Sequence, residues 1–274
     1  MVRTHTVVTN NNHPIFYRKM NSSIASLKNS VATLAISAAI CSTLHAASIA
    51  VPNGSFESPS TLPVGVSTSI DSWQKASQPA YFNPATFGFT WDQTAGIFYD
   101  TNPYANHDGT QCAYMLSFPQ VSLFQDYSTT PAFNATYAVG QSYSLTLGLF
   151  GKSLTPNNSL QLSLYYRDAG NNIVTVGSPT TITYNPAIFP TTAPLNLVDY
   201  SVTIPAVQAG DAWAGKNIGI MIQVTASDFT GGYWDMDNIR LTSAVPEPGV
   251  ASLFALGICG FVARRATQRR KSIS

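Results

Sequence analysis

Aromatic and polar side chains are concentrated between Tyr81 and Tyr104, in a segment rich in glycine and proline. Aromatic faces stack on the apolar faces of sugar rings, and polar side chains beside them orient the hydroxyl groups. The segment therefore predicts a sugar-binding surface on loops over one sheet. The candidate ligand-binding residues are Tyr81, Trp91, Tyr99 and Tyr104. The alternative interpretation places these aromatic residues in a hydrophobic core.

Residues that perform nucleophilic or metal-dependent catalysis are scarce between positions 48 and 244. His107 is the only histidine and Cys112 the only cysteine there. There is no Gly-x-Ser-x-Gly motif to select a nucleophilic serine. One histidine and one cysteine also cannot form a usual zinc site unless several carboxylates complete the ligand set. We interpret His107 as a solvated loop residue and Cys112 as a small core residue.

Paired carboxylates are the remaining catalytic pattern. Asp235 and Asp237 alternate along a predicted strand and therefore share one face of it. Two carboxylates on one surface are the requirement for glycoside hydrolysis. Acidic residues are also common at turns and sheet ends, so we predict a non-catalytic protein and keep a glycan-active hydrolase as a remote alternative.

The charge and cysteine content of positions 48–244 exclude several classes of partner. Five basic and twelve acidic side chains give this segment a formal charge of −7, which disfavours nucleic acid and anionic membrane surfaces as partners. Cys41 and Cys259 fall outside it, so no disulfide can form within it. At about 200 residues the segment is long enough to bury one core without a disulfide.

Hydrophobic residues alternate with polar ones along much of the same segment. The pattern is clearest at Tyr143–Leu149, Leu160–Tyr166 and Ile218–Val224. A period of two places one set of side chains on a core face of a strand. Turn-forming clusters separate these runs, and no stretch shows a helical period. The pattern predicts an antiparallel β-sandwich.

Both ends of the chain carry segments of a different kind. At the start, Lys19 and Lys28 precede an apolar run from Val31 to Ile40 and small residues at Ala46 and Ala47, a pattern typical of a secretory signal peptide. At the end, a stiff Pro-Glu-Pro spacer precedes an apolar run of about 15 residues, which is short for a membrane-spanning helix. Basic residues then follow and should stay cytoplasmic.

This ending resembles the PEP-CTERM sorting signal. The residues that match it are Pro246, Glu247, Pro248, Arg264 and Arg265. The resemblance implies an exosortase-type sorting enzyme as a partner, transient insertion in the inner membrane, and delivery to the cell surface or extracellular matrix of a Gram-negative bacterium. The alternative is an ordinary single-pass C-terminal anchor. We therefore predict a signal peptide with extra N-terminal residues at 1–47, a β-sandwich at 48–244 and the sorting signal at 245–274.

The central segment also resembles a known fold. Val51–Glu57 and Tyr233–Leu241 look like the first and last strands of galactose-binding-like jelly rolls, the fold of many carbohydrate-binding modules. Asp108–Gln111 and Val139–Leu145 are similar to middle strands of that family. The resemblance implies an all-β, antiparallel jelly-roll β-sandwich, flanked here by an N-terminal signal helix and a short C-terminal membrane helix.

The same resemblance implies a structural calcium ion held by the opening glutamate and the closing aspartates. Carried over by position, the ligands are Glu57 and Asp237, with Asp235 as a further candidate. Calcium takes six to eight oxygen ligands, so backbone carbonyls and water would complete the site. The alternative is that Glu57 and Asp237 only accept hydrogen bonds from loop backbone.

Together these features predict an exported, carbohydrate-binding-like surface or matrix protein that contacts the exopolysaccharide of its producer. The alternative is a structural or adhesive biofilm protein without a small-ligand site. An exposed aromatic cluster would favour the first function, and a smooth polar surface with an unpaired edge strand would favour the second.

Overall fold

A computed structural model of the chain describes residues 46–63, 65–101, 104–191, 195–229 and 231–245. The predicted signal peptide before residue 46 and the predicted sorting signal, including Pro246 and Arg264, lie outside these residues. Within the described ranges, no helix is both long enough and apolar enough to cross a membrane.

The regular secondary structure of the described residues is almost entirely strand. The strands are β1 (Ala47–Ile49), β2 (Val66–Ser67), β3 (Gln74–Lys75), β4 (Ala95–Tyr99), β5 (Gln111–Leu116), β6 (Ser122–Gln125), β7 (Ser142–Lys152), β8 (Ser159–Arg167), β9 (Ile173–Thr183), β10 (Val198–Ile204), β11 (Gly219–Val224) and β12 (Tyr233–Ala244). A four-residue helix, α1 (Pro84–Phe87), and a 3₁₀ turn at Trp91–Thr94 lie between β3 and β4.

The strands form two antiparallel sheets. The larger sheet has the order β10-β7-β12-β5-β4-β2, with β1 also paired to β12, and the smaller sheet has the order β3-β6-β11-β8-β9. Apart from the pairs β4–β5 and β8–β9, neighbouring strands are not consecutive in the chain, as in a jelly roll rather than a meander. The predicted all-β, antiparallel jelly-roll β-sandwich is confirmed.

Alternating burial explains why these segments are strands. In β7, Tyr143, Leu145, Leu147 and Leu149 are buried, and the residues between them in the first half of the strand are partly exposed. The same alternation occurs at the start of β8, where Leu160 and Leu162 are buried. In both strands the buried residues lie on one face, which packs in the core as the sequence predicts.

The segment Val51–Glu57 is not the first strand, and that part of the prediction is wrong. It forms turns in which Asn53 and Phe56 have φ values of 51° and 55°, and the first strand is β1. The Asn53 side chain donates hydrogen bonds to the carbonyl oxygens of Ser58 (2.7 Å) and Asp71 (2.8 Å). Asparagine tolerates the left-handed conformation and bonds to nearby backbone, so it favours this turn over a strand.

Candidate functional site

Two buried carboxylates, Asp235 and Asp237, lie on one face of β12. Residues 234–237 of this strand are all buried: Trp234 and Met236 belong to the hydrophobic core, and loop residues 104–110 cover the opposite face, which carries the two aspartates. A β-bulge between Asp237 and Arg240 shifts the pairing of β12 with β7, and Asn238 adopts a φ of 58° there. Bulges of this kind re-aim side chains next to functional sites.

Asp235 is paired with a tyrosine from the covering loop. The Tyr104 hydroxyl donates a hydrogen bond of 2.6 Å to Asp235 Oδ2. Burial raises the pKa of Asp235 to about 7, although the bond from Tyr104 and the charge of Lys152 act in the opposite direction. Tyr104 is itself buried and packs on Phe150. It therefore presents no free face to a sugar.

Asp237 is fully buried, and only one of its oxygens is satisfied by a hydrogen bond. Oδ2 accepts a hydrogen bond of 2.6 Å from the backbone N–H of Asp108, whereas Oδ1 has no hydrogen-bond partner among the described residues. Burial raises the pKa of Asp237 to about 8, against the lowering effect of the backbone N–H groups of Asp108 and Asn238. A buried oxygen without a partner is costly unless a proton or a cation lies beside it.

The imidazole of His107 fills the space next to Asp237. Nδ1 lies 3.1 Å from the carbonyl oxygen of Gly109 and Nε2 lies 2.6 Å from that of Gln111. Nε2 is also 3.7 Å from Asp237 Oδ2, and the His107 side chain is only 3% exposed. The interpretation of His107 as a solvated loop residue is therefore wrong. The sequence shows the turn but not the strand that the turn covers.

Glu57 holds the same loop from the other side. Its Oε1 accepts hydrogen bonds from the backbone N–H groups of Thr110 (2.8 Å) and Gln111 (2.7 Å), and its Oε2 accepts one from Thr110 Oγ1 (2.9 Å). Gly109 has a φ of +106°, and a Cβ there would lie 2.4 Å from Glu57 Oε1. The close approach of Glu57 to the loop thus requires glycine at position 109.

Cys112 completes a cluster of three metal-ligating side chains. It is buried in β5, the strand that pairs with β12 and places Tyr114 opposite Asp235. His107, Cys112 and Asp237 each offer one ligand atom, and these atoms all lie within 4.8 Å of one another. Burial is the main cause of a raised pKa for the Cys112 thiol, and Asp237 and Asp235 add to it. Sequence reasoning missed this cluster because the pairing of β5 with β12 is not visible in local spacing.

The arrangement does not fit the calcium site that the family resemblance implies. Glu57 already uses both carboxylate oxygens to hold the loop, and the carbonyl oxygens of Gly109 and Gln111 face the His107 ring. Among the three predicted calcium ligands, Glu57, Asp235 and Asp237, the side-chain oxygens without a hydrogen-bond partner in the described residues are Asp235 Oδ1 and Asp237 Oδ1. Calcium needs six to eight oxygens, whereas the donors assembled around Asp237 include nitrogen and sulfur.

A second candidate site is a shallow depression of about 430 Å³. It is lined by residues of three segments between strands, 81–87, 118–120 and 227–229. Its floor is Phe118, which is fully buried and stacks on Phe229 with a centroid distance of 3.7 Å and an interplanar angle of 8°. Tyr81 and Phe229 are exposed at its edge, by 45% and 39%. Gln120, with a φ of 68°, and Asp228 add polar groups. Exposed aromatic faces beside polar groups are the chemistry that sugar binding requires.

Local sequence explains how Phe87 reaches this depression. The Asn83 side chain accepts a hydrogen bond from the Ala85 backbone N–H, and Pro84 occupies the first position of α1. Gly88 ends the helix with a φ of 78° and donates its N–H to the Pro84 carbonyl oxygen at 2.8 Å. Asparagine, proline and glycine are the preferred residues at these three positions. They form a single helical turn that packs Phe87 edge-on against Phe118.

The structure separates the four predicted ligand-binding residues. Tyr81 lies at the depression, whereas Trp91 and Tyr104 are buried and Tyr99 is partly buried in β4. The Trp91 indole N–H donates to the Ala76 carbonyl oxygen at 2.7 Å, as expected of an anchored core residue. For Trp91 and Tyr104, the alternative core interpretation therefore describes the structure. Phe118 and Phe229 were not predicted, because both lie outside the segment 81–104.

No protein-family model matches this chain, and no curated protein sequence matches it. Among solved structures, a Stig cyclase from Fischerella sp. TAU is similar with a TM-score of 0.48 and 20% identity, covering 74% of this chain and 100% of that one. The CBM22-1 xylan-binding domain of Paenibacillus barcinonensis Xyn10C gives 0.37 and 7%, covering 64% and 86%. TmCBM61, solved with β-1,4-galactotriose, gives 0.37 and 15%, covering 70% and 95%. These values are too low to transfer a ligand or an activity to this chain.

Proposed function

We propose that this chain is an exported, non-catalytic carbohydrate-binding protein that is sorted by an exosortase-type enzyme and binds exopolysaccharide at the cell surface or in the extracellular matrix. The observation that carries the proposal is the pair of exposed aromatic side chains, Tyr81 and Phe229, at the depression floored by Phe118. The burial of Asp235 and Asp237 beneath a loop supports the non-catalytic assignment. Neither aspartate lines the depression.

The proposed ligand is a neutral glycan. The described residues that line the depression include Asp228 and no lysine or arginine. Anionic sugars such as uronic acids need basic partners, and the net charge of positions 48–244 is −7. A neutral pyranose needs only aromatic faces and polar groups, which Tyr81, Phe229, Gln120 and Ser227 provide.

The alternative function, a structural or adhesive protein that assembles through strand edges, is less favoured. The longest edge strand, β9, has 11 residues and exposes many of them. It also carries Pro179, which has no N–H to donate, and Gly177 with a φ of 67°. A register shift interrupts its pairing with β8. Proline and bulges are the devices by which natural edge strands avoid pairing with other chains.

Replacing Tyr81 with alanine is expected to weaken glycan binding about tenfold. An aromatic contact contributes about 0.5–1.5 kcal/mol beyond its buried area, and about 1.4 kcal/mol corresponds to a factor of ten. The purified full chain would be screened against a glycan array and the exopolysaccharide of its producer, and titrated with the best ligand. Phe229→Ala should show a similar loss.

Tyr127→Ala is the matched control for Tyr81→Ala, because Tyr127 is equally exposed, at 44%, and does not line the depression. Its affinity should equal that of the unchanged chain. Equal losses in both tyrosine variants, or no saturable binding to any glycan by well-folded protein, would reject the proposed site.

The sorting part of the proposal predicts a processing defect. Replacing Pro246, Glu247 and Pro248 with alanine should leave the uncleaved precursor in the inner membrane, because a sorting enzyme would lose its recognition element. Immunoblots of inner-membrane and extracellular fractions would measure this. A control variant with Pro205→Ala should be processed normally. Normal release of the triple variant would contradict sorting by this motif.

A further inference from the structure

The cluster formed by His107, Cys112 and Asp237 has a feature that the proposed glycan site does not use. Asp237 is fully buried, its Oδ1 has no hydrogen-bond partner among the described residues, and its carboxylate faces an imidazole and a thiol. Burying a carboxylate without neutralising it is strongly unfavourable. A proton on Asp237 or a cation beside it would satisfy that oxygen.

The contacts of His107 provide a place for a cation in one of the two neutral tautomers of its ring. If Nδ1 carries the proton and donates it to the Gly109 carbonyl oxygen at 3.1 Å, Nε2 presents a lone pair. That lone pair faces two further acceptors, the Gln111 carbonyl oxygen at 2.6 Å and Asp237 Oδ2 at 3.7 Å. Three electron-rich atoms repel one another unless a proton or a metal ion lies between them. A backbone carbonyl that accepts from the other ring nitrogen is the usual partner of a metal-ligating histidine.

The chemistry of the donors selects the kind of metal. Imidazole nitrogen, thiolate sulfur and carboxylate oxygen are all common zinc ligands, whereas calcium and magnesium take oxygen ligands. The three ligand atoms lie within 4.8 Å of one another, so a small closure would bring them to the spacing of a tetrahedral site. The Gln111 carbonyl oxygen is next to Nε2 and offers a fourth ligand.

We propose that this chain binds one Zn²⁺ ion through His107 Nε2, Cys112 Sγ and a carboxylate oxygen of Asp237. Binding releases the Cys112 thiol proton and, from protonated Asp237, the carboxyl proton, and the resulting thiolate and carboxylate balance the two positive charges of the metal. The buried site becomes neutral, because the metal ion compensates the charge of the Asp237 carboxylate. The ion joins loop 104–110 to strands β5 and β12, so its role is structural.

Zinc binding is tested first on the full chain with Cys41→Ser and Cys259→Ser, which removes the two cysteines outside the described residues. The protein is purified with a reductant, stripped with a chelator and titrated with Zn²⁺ or Co²⁺. We expect one Zn²⁺ per chain, a rise in the melting temperature, and the near-ultraviolet charge-transfer band of a cobalt–thiolate bond. This band depends on Cys112 alone and needs no variant of the cluster.

Variants of the cluster then identify the ligands. Cys112→Ser and His107→Gln should each weaken zinc binding by more than about 100-fold. Loss of a residue that only hydrogen-bonds to a metal ligand typically costs about 10–100-fold, so a larger loss identifies a ligand. His45→Gln, which changes a histidine outside the cluster, should bind zinc normally. Circular dichroism would establish that each variant is folded.

Three results would overturn the proposal. One is the absence of a cobalt–thiolate band in reduced, folded protein. A second is unchanged zinc affinity in folded Cys112→Ser. The third is an increase in melting temperature with Ca²⁺ and none with Zn²⁺, which would assign the site to calcium.

Discussion

Replacing Asp126 with alanine is expected to lower the free energy of unfolding by about 3–5 kcal/mol, the cost of removing one partner from a buried ion pair. Asp126 is buried, and its Oδ2 accepts hydrogen bonds from the Tyr165 hydroxyl (2.7 Å) and Arg167 Nε (2.6 Å). Its Oδ1 accepts from the backbone N–H groups of Ser128 and Thr129. The substitution would leave all of these donors without their partner. Urea unfolding at neutral pH measures the loss.

The contribution of Asp126 should also depend on pH. Burial alone would raise the pKa of Asp126, but hydrogen bonds from Ser128, Tyr165 and Arg167 and the charge of Arg167 hold the pKa below the ordinary value of an aspartate. A carboxylate with a lowered folded-state pKa stabilises the fold above its unfolded pKa, and this stability is lost as the pH falls through the folded value. The difference between Asp126→Ala and the unchanged chain should therefore shrink below about pH 4.

The matched control is a second aspartate–arginine pair at the same distance. Asp199 Oδ1 lies 2.6 Å from an Arg240 guanidinium nitrogen, as Asp126 Oδ2 does from Arg167, but both Asp199 and Arg240 are about half exposed. Exposed pairs contribute about 0–1 kcal/mol, because water screens the attraction. Asp199→Ala should therefore cost less than 1 kcal/mol. Similar losses in Asp126→Ala and Asp199→Ala would contradict a special role for the buried pair.

Replacing Phe118 with alanine is expected to cost about 3–5 kcal/mol of stability and to weaken glycan binding as well. Phe118 is fully buried and contacts the rings of Phe82, Phe87, Phe89 and Phe229. Its loss leaves a cavity under the depression and removes the surface on which Phe229 stacks. Thermal unfolding and glycan titration of the same sample would measure the two effects.

Phe118→Leu separates packing from ring stacking. Leucine keeps most of the buried volume, so the stability loss should be smaller than that of Phe118→Ala. Glycan affinity should still fall, because leucine offers Phe229 no flat ring. Full affinity in Phe118→Leu would show that the orientation of Phe229 does not depend on this stack, and an unfolding free energy unchanged in Phe118→Ala would contradict the described core.

The proposed zinc and glycan sites share no residue, so their tests are independent. The zinc ligands come from loop 104–110, β5 and β12, whereas the depression is lined by loop residues such as Tyr81, Gln120 and Asp228. Cys112→Ser should leave glycan affinity unchanged in folded protein, and Tyr81→Ala should leave zinc affinity unchanged. Failure of one proposal therefore does not remove the support for the other.

The sequence by itself determined the fold class, because alternation with a period of two is a local property of a strand. Leu145 and Leu147 in β7 and Ile220 and Ile222 in β11 are buried as their spacing predicts. The shared face of Asp235 and Asp237 follows from the same geometry. The family resemblance failed at Val51–Glu57, where turn-forming residues outweigh the apolar ones.

Only the tertiary structure decided which side chains form sites. The pairing of β5 with β12 joins residues about 120 positions apart, and this pairing places Cys112 beside Asp237. Likewise, the depression combines Tyr81 with Phe229, and Trp91 is buried although its neighbours in sequence are exposed. Spacing along a chain fixes which face of a strand a residue occupies, but contacts between distant strands and the loops that cover them arise only when the sheets assemble.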